Sequence, residues 1–423
     1  MTPLSLTLYG AATGLMEPLA PALLRGRARK GKEDVARIPE RLGWASAPRP
    51  DAPVVWFHGV SVGESLSLLP LMHALARQRP DLALLVTTGT LTAAALMGER
   101  KPAGAIHQYA PVDGPAAVRR FLDHWRPHLG VFVESELWPN LIGAARRRGV
   151  RLALVSARMT EKTARGWSRA PAAARALLAA FDLILPQDAE TEARLRSLGA
   201  RTGPHLNLKH VGDPLPCDRA ALARLRETVA GRRVALAVST HPGEEALIAR
   251  AFRAATADGP PALLIIVPRH PGRGAAVAAE LATLDFAVAR RGAGEPLTAG
   301  TSAYVADTLG ELGLFLRLAD VAVMGGAFAE GIGGHNPLEP ARLGAPIVTG
   351  PHAFNARELY ADLLREAAAI EAADEAALAR HLRGLFAYPH IARRIGEAAH
   401  AYAERRGAAL DRALDLLAPL APP

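Results

Sequence analysis

Residues 320–340, DVAVMGGAFAEGIGGHNPLEP, decide the fold of this chain, because they predict a buried strand, a glycine-rich turn and a helix start in succession. Gly333 and Gly334 let the backbone approach a ligand closely, and Pro337 suits the first turn of a helix, where its missing N–H has no helical partner. A helix N-terminus favours a phosphate, and Glu339 in that turn could accept hydrogen bonds from sugar hydroxyls. The combination is typical of nucleotide-sugar sites, and an ordinary turn between strand and helix is the alternative.

The same order of strand and then helix recurs along the chain. A helix is predicted at Ser65–Arg79, and apolar runs predict strands at Pro53–His58, Leu82–Thr87, Leu129–Val133, Leu152–Ser156, Leu183–Pro186, Val234–Val238, Leu263–Val267, Val321–Met324 and Pro346–Val348. Such alternation indicates parallel sheets covered by helices on both faces. A chain of 423 residues exceeds one compact core, so two domains are expected. We therefore predict an α/β protein of the GT-B type, in which two Rossmann-like domains face a central cleft and ligands bind beyond the carboxyl ends of the strands.

The expected division is an N-terminal segment 1–32, a first domain 33–211 and a second domain 212–423. Leu206–Pro216, which carries Lys, Gly, Asp and two prolines, is the predicted linker.

The formal net charge is +9, which suits nucleic acid, an anionic membrane or an acidic substrate. No nucleic acid partner is expected, since no helix-turn-helix, zinc-finger or RNP pattern occurs and the arginines are dispersed. Cys217 is the single cysteine, which excludes an intrachain disulfide and a multi-cysteine metal site.

The N-terminus predicts a membrane anchor. Pro3–Leu24 is mostly apolar and is followed at once by five basic residues, Arg25, Arg27, Arg29, Lys30 and Lys32. A cleaved signal peptide would carry its positive charge before the apolar run. The length is marginal for a spanning helix, Glu17 would be costly at mid-bilayer, and the basic cluster suits the anionic cytoplasmic face. We expect a shallow or spanning anchor, and a soluble amphipathic helix packed on the body is the alternative.

Candidate catalytic carboxylates follow two predicted strands of the first half. Glu64 ends GVSVGE, residues 59–64, at a helix start, where an anion is stabilised; it could be a general base or a simple capping residue. Glu134 and Glu136 flank the end of a strand in VESELWPN, residues 133–140. Such paired carboxylates could act as base and orienting group or lie in a solvated loop.

Basic and hydroxyl side chains follow further strands. SARMTEKTARGW, residues 156–167, carries Arg158, Lys162 and Arg165, which fits phosphate or carboxylate recognition or a polar helix start. In the second half, STHPGEE (239–245) opens a helix, and Arg269 and His270 of PRHP (268–271) could hold a phosphate or a base carbonyl. DTLGEL (307–312) precedes the opening stretch and GPH (350–352) follows it.

Nine motifs follow one another along the chain: GVSVGE, ExELWPN, AR with a hydroxyl-rich basic run, NLK (207–209), STHxGEE, PRHP, DTxGEL, GGHNPLEP and GPH. In this order they resemble the motifs of bacterial 3-deoxy-D-manno-octulosonic acid (Kdo) transferases, from about residue 4 to 400. The resemblance implies a GT-B fold, CMP-Kdo as donor and the tetraacyl lipid A precursor as acceptor. It implies no metal or other cofactor, and attachment to inner-membrane lipids at the cytoplasmic face. Residues 33–211 would then bind the acceptor and 212–423 the donor.

The roles of single residues are also implied by the resemblance. Glu64 would take the proton of the acceptor's primary hydroxyl as that oxygen attacks the anomeric carbon with inversion. One of Glu134 and Glu136, with Lys209, would support the transition state. The acceptor would contact Ser61, Gly63 and Arg158. CMP-Kdo would contact Arg269, His270, Gly310, Glu311, Leu312, Asn336, Pro337, Leu338 and Glu339.

The chain departs from the usual family pattern at Leu206, Ser156, Lys162, Ala327 and Pro242. Two alternatives stay open: another GT-B enzyme, such as a nucleotide-sugar epimerase or a different glycosyltransferase, and a non-catalytic membrane-bound scaffold on the same fold.

Overall fold

A computed structural model describes residues 3–211 and 214–422, apart from the side chain of His210. The chain divides into two compact units, the first formed by Met1–Gly212 with Gly407–Pro423 and the second by Asp213–Arg406. The predicted linker includes Gly212 and Asp213, which lie outside the described residues.

The first unit contains a six-stranded parallel sheet. Its strands are β1 (Val54–His58), β2 (Ala83–Thr88), β3 (Ile106–Tyr109), β4 (Leu129–Val133), β5 (Arg151–Ala157) and β6 (Leu183–Pro186). Their order in space is β3-β2-β1-β4-β5-β6, the doubly wound order in which the chain switches direction between β1 and β4.

Helices cover both faces of that sheet. They are α1 (Leu4–Met16), α2 (Ala20–Ala28), α3 (Ile38–Arg41), α4 (Val62–Gln78), α5 (Leu91–Arg100), α6 (Pro115–Trp125), α7 (Pro139–Arg147), α8 (Glu161–Ser168), α9 (Pro171–Leu178) and α10 (Ala189–Ser197). Alternate residues of β1 enter two different cores, Val55 and Phe57 on one face and Val54 and Trp56 on the other.

The second unit contains a seven-stranded parallel sheet. Its strands are β7 (Arg233–Thr240), β8 (Ala262–Pro268), β9 (Val288–Arg290), β10 (Ala303–Val305), β11 (Val321–Met324), β12 (Ile347–Thr349) and β13 (Ala369–Glu371). They lie in the order β13-β12-β11-β7-β8-β10-β9, which places the switch point between β7 and β11.

The helices of the second unit are α11 (Arg219–Thr228), α12 (Glu244–Thr256), α13 (Gly274–Thr283), α14 (Leu312–Leu316), α15 (Leu338–Ala341), α16 (Arg357–Arg365) and α17 (Glu375–Ala387). A long last helix, α18 (Pro389–Leu417), begins in the second unit and ends in the first.

The predicted α/β class with parallel sheets is confirmed, and each predicted strand is present. Four strands were not predicted: β3, β9, β10 and β13. All are three or four residues long, and three of them form sheet edges. Edge strands are covered on fewer sides, so their sequences lack the long apolar run that marks a buried parallel strand.

The sequence-based assignment of all residues from 212 to 423 to the second domain is wrong at its C-terminal end. Residues 407–423 group with the first unit, because Ala413, Leu414 and Leu417 join the core that contains Val55 and Phe57. Burial of each leucine contributes about 1.5–3 kcal/mol, which holds the end of α18 on the first sheet.

The N-terminal helices dock on the first unit through polar contacts. Glu17 Oε2 accepts a hydrogen bond from Ala116 N at 2.8 Å and Glu17 Oε1 accepts one from Ala117 N at 2.5 Å. Tyr9 donates to Asp113 Oδ2 at 3.0 Å, while several apolar side chains of the segment stay exposed, namely Leu4, Leu8, Leu15, Met16, Leu19 and Leu23. Across the part of the chain that the structure describes, no helix has the length and apolar character needed to cross a membrane.

Candidate active site

The first candidate site lies at the switch point of the first sheet, where β1 and β4 end. Glu64 stands in the first turn of α4, and its Oε2 accepts hydrogen bonds from Val60 N at 2.7 Å and Ser61 N at 2.9 Å. Ser61 Oγ in turn accepts from Glu64 N at 3.3 Å, which completes a capping box. Glu64 therefore caps its helix. Because both backbone donors bind Oε2, Oε1 accepts no hydrogen bond from the turn and is available to accept a proton.

Glu136 lies against Glu64. Its carboxyl group accepts a hydrogen bond from Trp138 Nε1 at 2.5 Å and makes another with the Glu64 side chain. Burial, and next the charge of Glu64, raises the pKa of Glu136 to about 7. Two carboxyl groups this close do not both ionise readily, so Glu136 changes its charge near neutral pH.

Glu134 pairs with Lys209 instead. Lys209 Nζ lies 2.7 Å from Glu134 Oε1, and Glu134 is buried whereas Lys209 is about half exposed. The residue Leu206, where the family usually has Gly, is itself buried in the first unit's core. Ser156 Oγ accepts from Leu208 N at 3.3 Å. The departures at Leu206 and Ser156 thus fix the segment that carries Lys209.

Backbone strain collects at the ends of three strands. Glu134, Ser156 and Ser239 have φ values of 56°, 49° and 55°, in the left-handed region that non-glycine residues rarely adopt. The ladders of β5 and β7 shift register beside Ser156 and Ser239. Residues held in this way cluster at functional sites, and here they mark both switch points.

The predicted acceptor contacts surround the same turn. Ser61 is the helix cap, and Gly63 is exposed, with no atom within 4 Å of the position that a Cβ would take. Arg158 N donates to Glu134 O at 3.1 Å. The guanidinium group of Arg158 is exposed and forms no hydrogen bond or ion pair with any described residue. Ser61, Gly63 and Arg158 as acceptor contacts remain predictions.

The second candidate site lies where β7 and β11 end. His241 Nε2 is 2.8 Å from His335 Nε2, and the two rings are nearly parallel, with an interplanar angle of 7° and centroids 5.1 Å apart. Burial, followed by the charges of His241 and Arg269, lowers the pKa of His335 to about 4. Burial raises the pKa of Glu339, and the charges of Arg342 and Arg269 oppose that rise. Arg269 is therefore close enough to act on both His335 and Glu339.

The two glutamates of STHPGEE are structural. Glu244 accepts three backbone hydrogen bonds, from His241 N at 2.9 Å, Gly326 N at 2.7 Å and Phe328 N at 2.9 Å. Glu245 accepts from Thr240 Oγ1 at 2.9 Å and pairs with Arg273 Nη1 at 2.7 Å. Both are at most 1% exposed, so they fasten the turn after β7 to its surroundings.

The GGHNPLEP segment is more compact than predicted. Asn336 Oδ1 accepts from Leu338 N at 3.0 Å, and Pro337 precedes a helix of only four residues. Gly333 has φ 95°, and a Cβ there would lie 2.5 Å from Asn355 Nδ2. The close approach that requires glycine at position 333 is thus to Asn355. Pro337 and Leu338 are buried, whereas Asn336 and Glu339 are partly exposed.

The remaining predicted donor contacts fall into two groups. Arg269 and His270 are exposed directly after β8. In the turn from Gly310 to Leu312, Glu311 is bound by Arg291 Nε at 2.6 Å and by the hydroxyl of Thr308, and Leu312 packs against the core. Glu311 is therefore occupied by protein partners. The donor roles of Arg269, His270, Gly310, Glu311 and Leu312 remain predictions.

Three histidines at the two sites were not predicted as site residues. His58 is the last residue of β1, fully buried with Nε2 3.7 Å from Glu136 Oε2, and His241 and His335 form the pair in the second unit. Their position at or just beyond the end of a strand, next to a glycine-rich turn, was the available signal. Among the residues that the structure describes, no cluster of three or more His, Cys, Asp or Glu is arranged to hold a metal ion.

Comparison with known proteins decides the family. Residues 36–210 match the family model described as 3-Deoxy-D-manno-octulosonic-acid transferase (kdotransferase). A 3-deoxy-D-manno-octulosonic acid transferase of Bordetella pertussis is 36% identical over 425 residues, covering 96% of this chain and 98% of that protein. The chain belongs to the Kdo transferase family. A probable mitochondrial 3-deoxy-D-manno-octulosonic acid transferase of Arabidopsis thaliana is 37% identical to this Kdo transferase, over 82% of the chain and 79% of that protein.

Solved structures share the fold of this Kdo transferase. A glycosyltransferase from Rickettsia africae ESF-5 matches with a TM-score of 0.57 at 10% identity, over 88% of this chain and 99% of that one. A UDP-GlcNAc 2-epimerase from Neisseria meningitidis matches with a TM-score of 0.55 at 12% identity, over 87% and 100%. At such identities the likeness shows the fold alone, so family membership, which makes the chain a glycosyltransferase, decides against the epimerase alternative.

Proposed function

We propose that this Kdo transferase moves Kdo from CMP-Kdo to the tetraacyl lipid A precursor with inversion at the anomeric carbon. The observation that carries the proposal is the grouping of Glu64, Glu136, Glu134 and Lys209 at the ends of β1 and β4. In this grouping Glu64 is the base and Glu136 is the carboxyl group whose charge acts on it. Lys209 is a cation held by the buried carboxylate of Glu134.

Glu64 is the base in this scheme. Its Oε2 is fixed by two backbone N–H groups, so Oε1 takes the proton of the acceptor's primary hydroxyl. That oxygen attacks the anomeric carbon of Kdo while the bond from that carbon to the CMP phosphate oxygen breaks. Direct displacement inverts the configuration and needs one base.

Lys209 supports the negative charge of the reacting group. Glu134 holds its ammonium at 2.7 Å, and a preorganised cation stabilises charge without having to reorganise during the reaction. Its partner is the Kdo carboxylate or the leaving phosphate. The geometry favours Glu134 as the residue that places Lys209, and Glu136 as the neighbour of the base.

The second unit holds CMP in this proposal. Arg269 is exposed beside His335 and Glu339, where its guanidinium suits the phosphate and Glu339 suits ribose hydroxyls. A single phosphate leaves with CMP, so basic side chains suffice and no metal is needed. Transfer requires that the CMP-Kdo bound by the second unit reaches Glu64. The GT-B arrangement expected from the sequence would meet this requirement.

The N-terminal segment lies on the cytoplasmic face of the inner membrane in this proposal, as a monotopic attachment. Leu4, Leu8 and Leu15 are exposed at spacings that place them on one face of α1. Exposed basic side chains follow at the end of α2, among them Arg29 and Lys30. An apolar face beside positive charge suits anionic lipid.

Incubation of the purified chain with the tetraacyl lipid A precursor and CMP-Kdo generated in situ tests the activity. We expect a slower-migrating glycolipid on thin-layer chromatography, absent with Glu64→Gln and unchanged with Glu190→Gln. Glu190 is the matched control, because it is also a first-turn glutamate of the first unit but is exposed. If a wild-type preparation that is folded and binds CMP forms no product, the tetraacyl lipid A precursor is rejected as the acceptor.

Sedimentation with vesicles of anionic phospholipid tests the attachment. The variant Leu4→Ser/Leu8→Ser/Leu15→Ser keeps the docking contacts of Glu17. It should no longer sediment with the vesicles, while CMP binding stays unchanged. Leu309→Ser is the control, since Leu309 is exposed on the second unit. Equal sedimentation of the triple variant and the wild type would contradict a role for this apolar face.

A further inference from the structure

His58 is a fully buried histidine with one ring nitrogen that has no hydrogen-bond partner and lies near the carboxyl group of Glu136. Its Nδ1 lies 2.9 Å from Thr87 Oγ1, whereas Nε2 has no hydrogen-bond partner and lies 3.7 Å from Glu136 Oε2. The ring packs edge-on against Trp138, with centroids 5.3 Å apart. Buried polar atoms are almost always hydrogen-bonded, so the free Nε2 beside Glu136 calls for a functional explanation.

The surroundings of Thr87 indicate which nitrogen of His58 carries the proton. Thr87 Oγ1 accepts from Trp56 Nε1 at 2.8 Å, so its own single proton goes either to His58 Nδ1 at 2.9 Å or to Phe57 O at 3.2 Å. We assign the proton of Thr87 Oγ1 to the nearer acceptor, Nδ1, which leaves the proton of a neutral imidazole on Nε2. Burial, and next the charge of Arg41, lowers the pKa of His58 to about 3, so the ring is neutral, and in the assigned tautomer its proton is on the nitrogen that lies 3.7 Å from Glu136 Oε2.

Groups from three elements face Glu136. Glu64 approaches from α4, and Glu134 approaches from the end of β4 with Lys209 bound to it. Both carboxylates disfavour a negative charge on Glu136. Trp138 Nε1–H donates to Glu136 Oε2 and favours that charge. His58 Nε2, from the end of β1, lies 3.7 Å from the same oxygen.

We propose that His58 is a positioning residue whose Nε2–H, together with Trp138 Nε1–H, forms a two-donor seat for the Glu136 carboxylate. The inference rests on the proposed function of Glu64 as base. An anionic Glu136 beside Glu64 favours movement of the acceptor's proton onto Glu64. A protonated Glu136 instead donates its own proton to Glu64 and occupies the lone pair that the reaction needs.

The pH dependence of kcat/KM tests the inference. In the wild type, kcat/KM should fall as the pH drops through about 7, where Glu136 gains its proton. His58→Phe keeps an aromatic ring but removes the donor, so the midpoint should move up by about half a pH unit, a roughly threefold change in proton affinity. His58→Gln, which returns an N–H donor near Nε2, should restore the wild-type midpoint.

The midpoint does not depend on how much of a variant is folded, so a poorly folding variant still reports on the proposal. An unchanged midpoint in His58→Phe would overturn it, and so would an equal upward shift in His58→Gln. Loss of the acidic limb in Glu136→Gln is expected, because that side chain cannot ionise.

Tryptophan fluorescence gives a readout that needs no activity. The bond from Trp138 Nε1 to Glu136 should make emission titrate near pH 7 in the wild type, with no such step in Glu136→Gln. His58→Phe should move this step upward as it moves the midpoint of kcat/KM, and an unmoved step would overturn the inference. If the chain shows no transfer but the step moves, the proposed function fails while the role of His58 stands.

Discussion

Each unit places a glutamate in the first turn of the helix that follows a central strand, and the two glutamates serve different purposes. In each, a central strand runs through a glycine-containing turn into a helix, β1 to α4 and β7 to α12. Glu64 accepts two hydrogen bonds from its own turn, both on Oε2, and stays partly exposed. Glu244 accepts three, two of them from the turn after β11, and is 1% exposed.

The difference shows what separates a structural from a reactive glutamate in the first turn of a helix. The deciding property is how many of its carboxylate lone pairs already accept hydrogen bonds from the backbone. Glu244 joins two strand ends and has no access to solvent, so it stabilises the unit. Glu64 has one oxygen without backbone donors and lies against Glu136. In the second unit the polar groups open to solvent are instead Arg269, which is exposed, and His241 and His335, which are partly exposed.

Glu64→Gln is the change expected to have the largest effect. Gln keeps the oxygen that caps the helix, so the free energy of unfolding should change little. Loss of the base should lower kcat about 10³-fold. Paired measurements of transfer and of urea unfolding check this, with Glu190→Gln as control. If the variant transfers Kdo at the wild-type rate, Glu64 is a structural residue, as Glu244 is.

Lys209→Met addresses the other carboxylate of the first site. It removes the cation that Glu134 holds, so we expect a fall in kcat of roughly 10²-fold, with CMP binding by the second unit unchanged. Lys101→Met, which alters a partly exposed lysine at the end of α5, is the control. Equal activity of the two variants would mean that the pair of Glu134 and Lys209 is structural, like Glu245 and Arg273.

Glu244→Gln tests the structural member of the comparison. An amide in place of the carboxylate meets three N–H donors with one acceptor oxygen, so the free energy of unfolding should fall by about 2 kcal/mol. Urea unfolding measures the loss, and transfer by the fraction that stays folded should be near normal. A stable but inactive variant would show that Glu244 serves the reaction rather than the fold.

Sequence patterns predicted the central strands, because strands buried on both faces need continuous apolar runs. They did not predict edge strands such as β9, where three residues carry little signal, or the return of Leu414 and Leu417 to the first unit, which depends on contacts far apart in the chain. Motif order grouped Lys209 with Glu134 and Glu136 without choosing between them, and only the structure shows that Lys209 lies against Glu134. His58 was missed because it ends the apolar run VVWFH, so its place before the turn at Gly59 was a weak signal and its contact with Glu136 depends on the fold.

Glu17 extends the comparison to a third carboxylate at a helix N-terminus and carries the smallest predicted effect. It accepts from Ala116 N and Ala117 N at the start of α6, and its side chain is 10% exposed. Unlike Glu64 it belongs to another helix, and unlike Glu244 it lies near the surface, with Arg120 Nη2 at 3.6 Å. Glu17→Gln should therefore lower the free energy of unfolding by about 1 kcal/mol and leave kcat unchanged. Vesicle binding should persist, because Leu4, Leu8 and Leu15 are untouched. Urea unfolding beside Glu190→Gln measures the stability, and a loss as large as that of Glu244→Gln would show that burial does not separate these carboxylates.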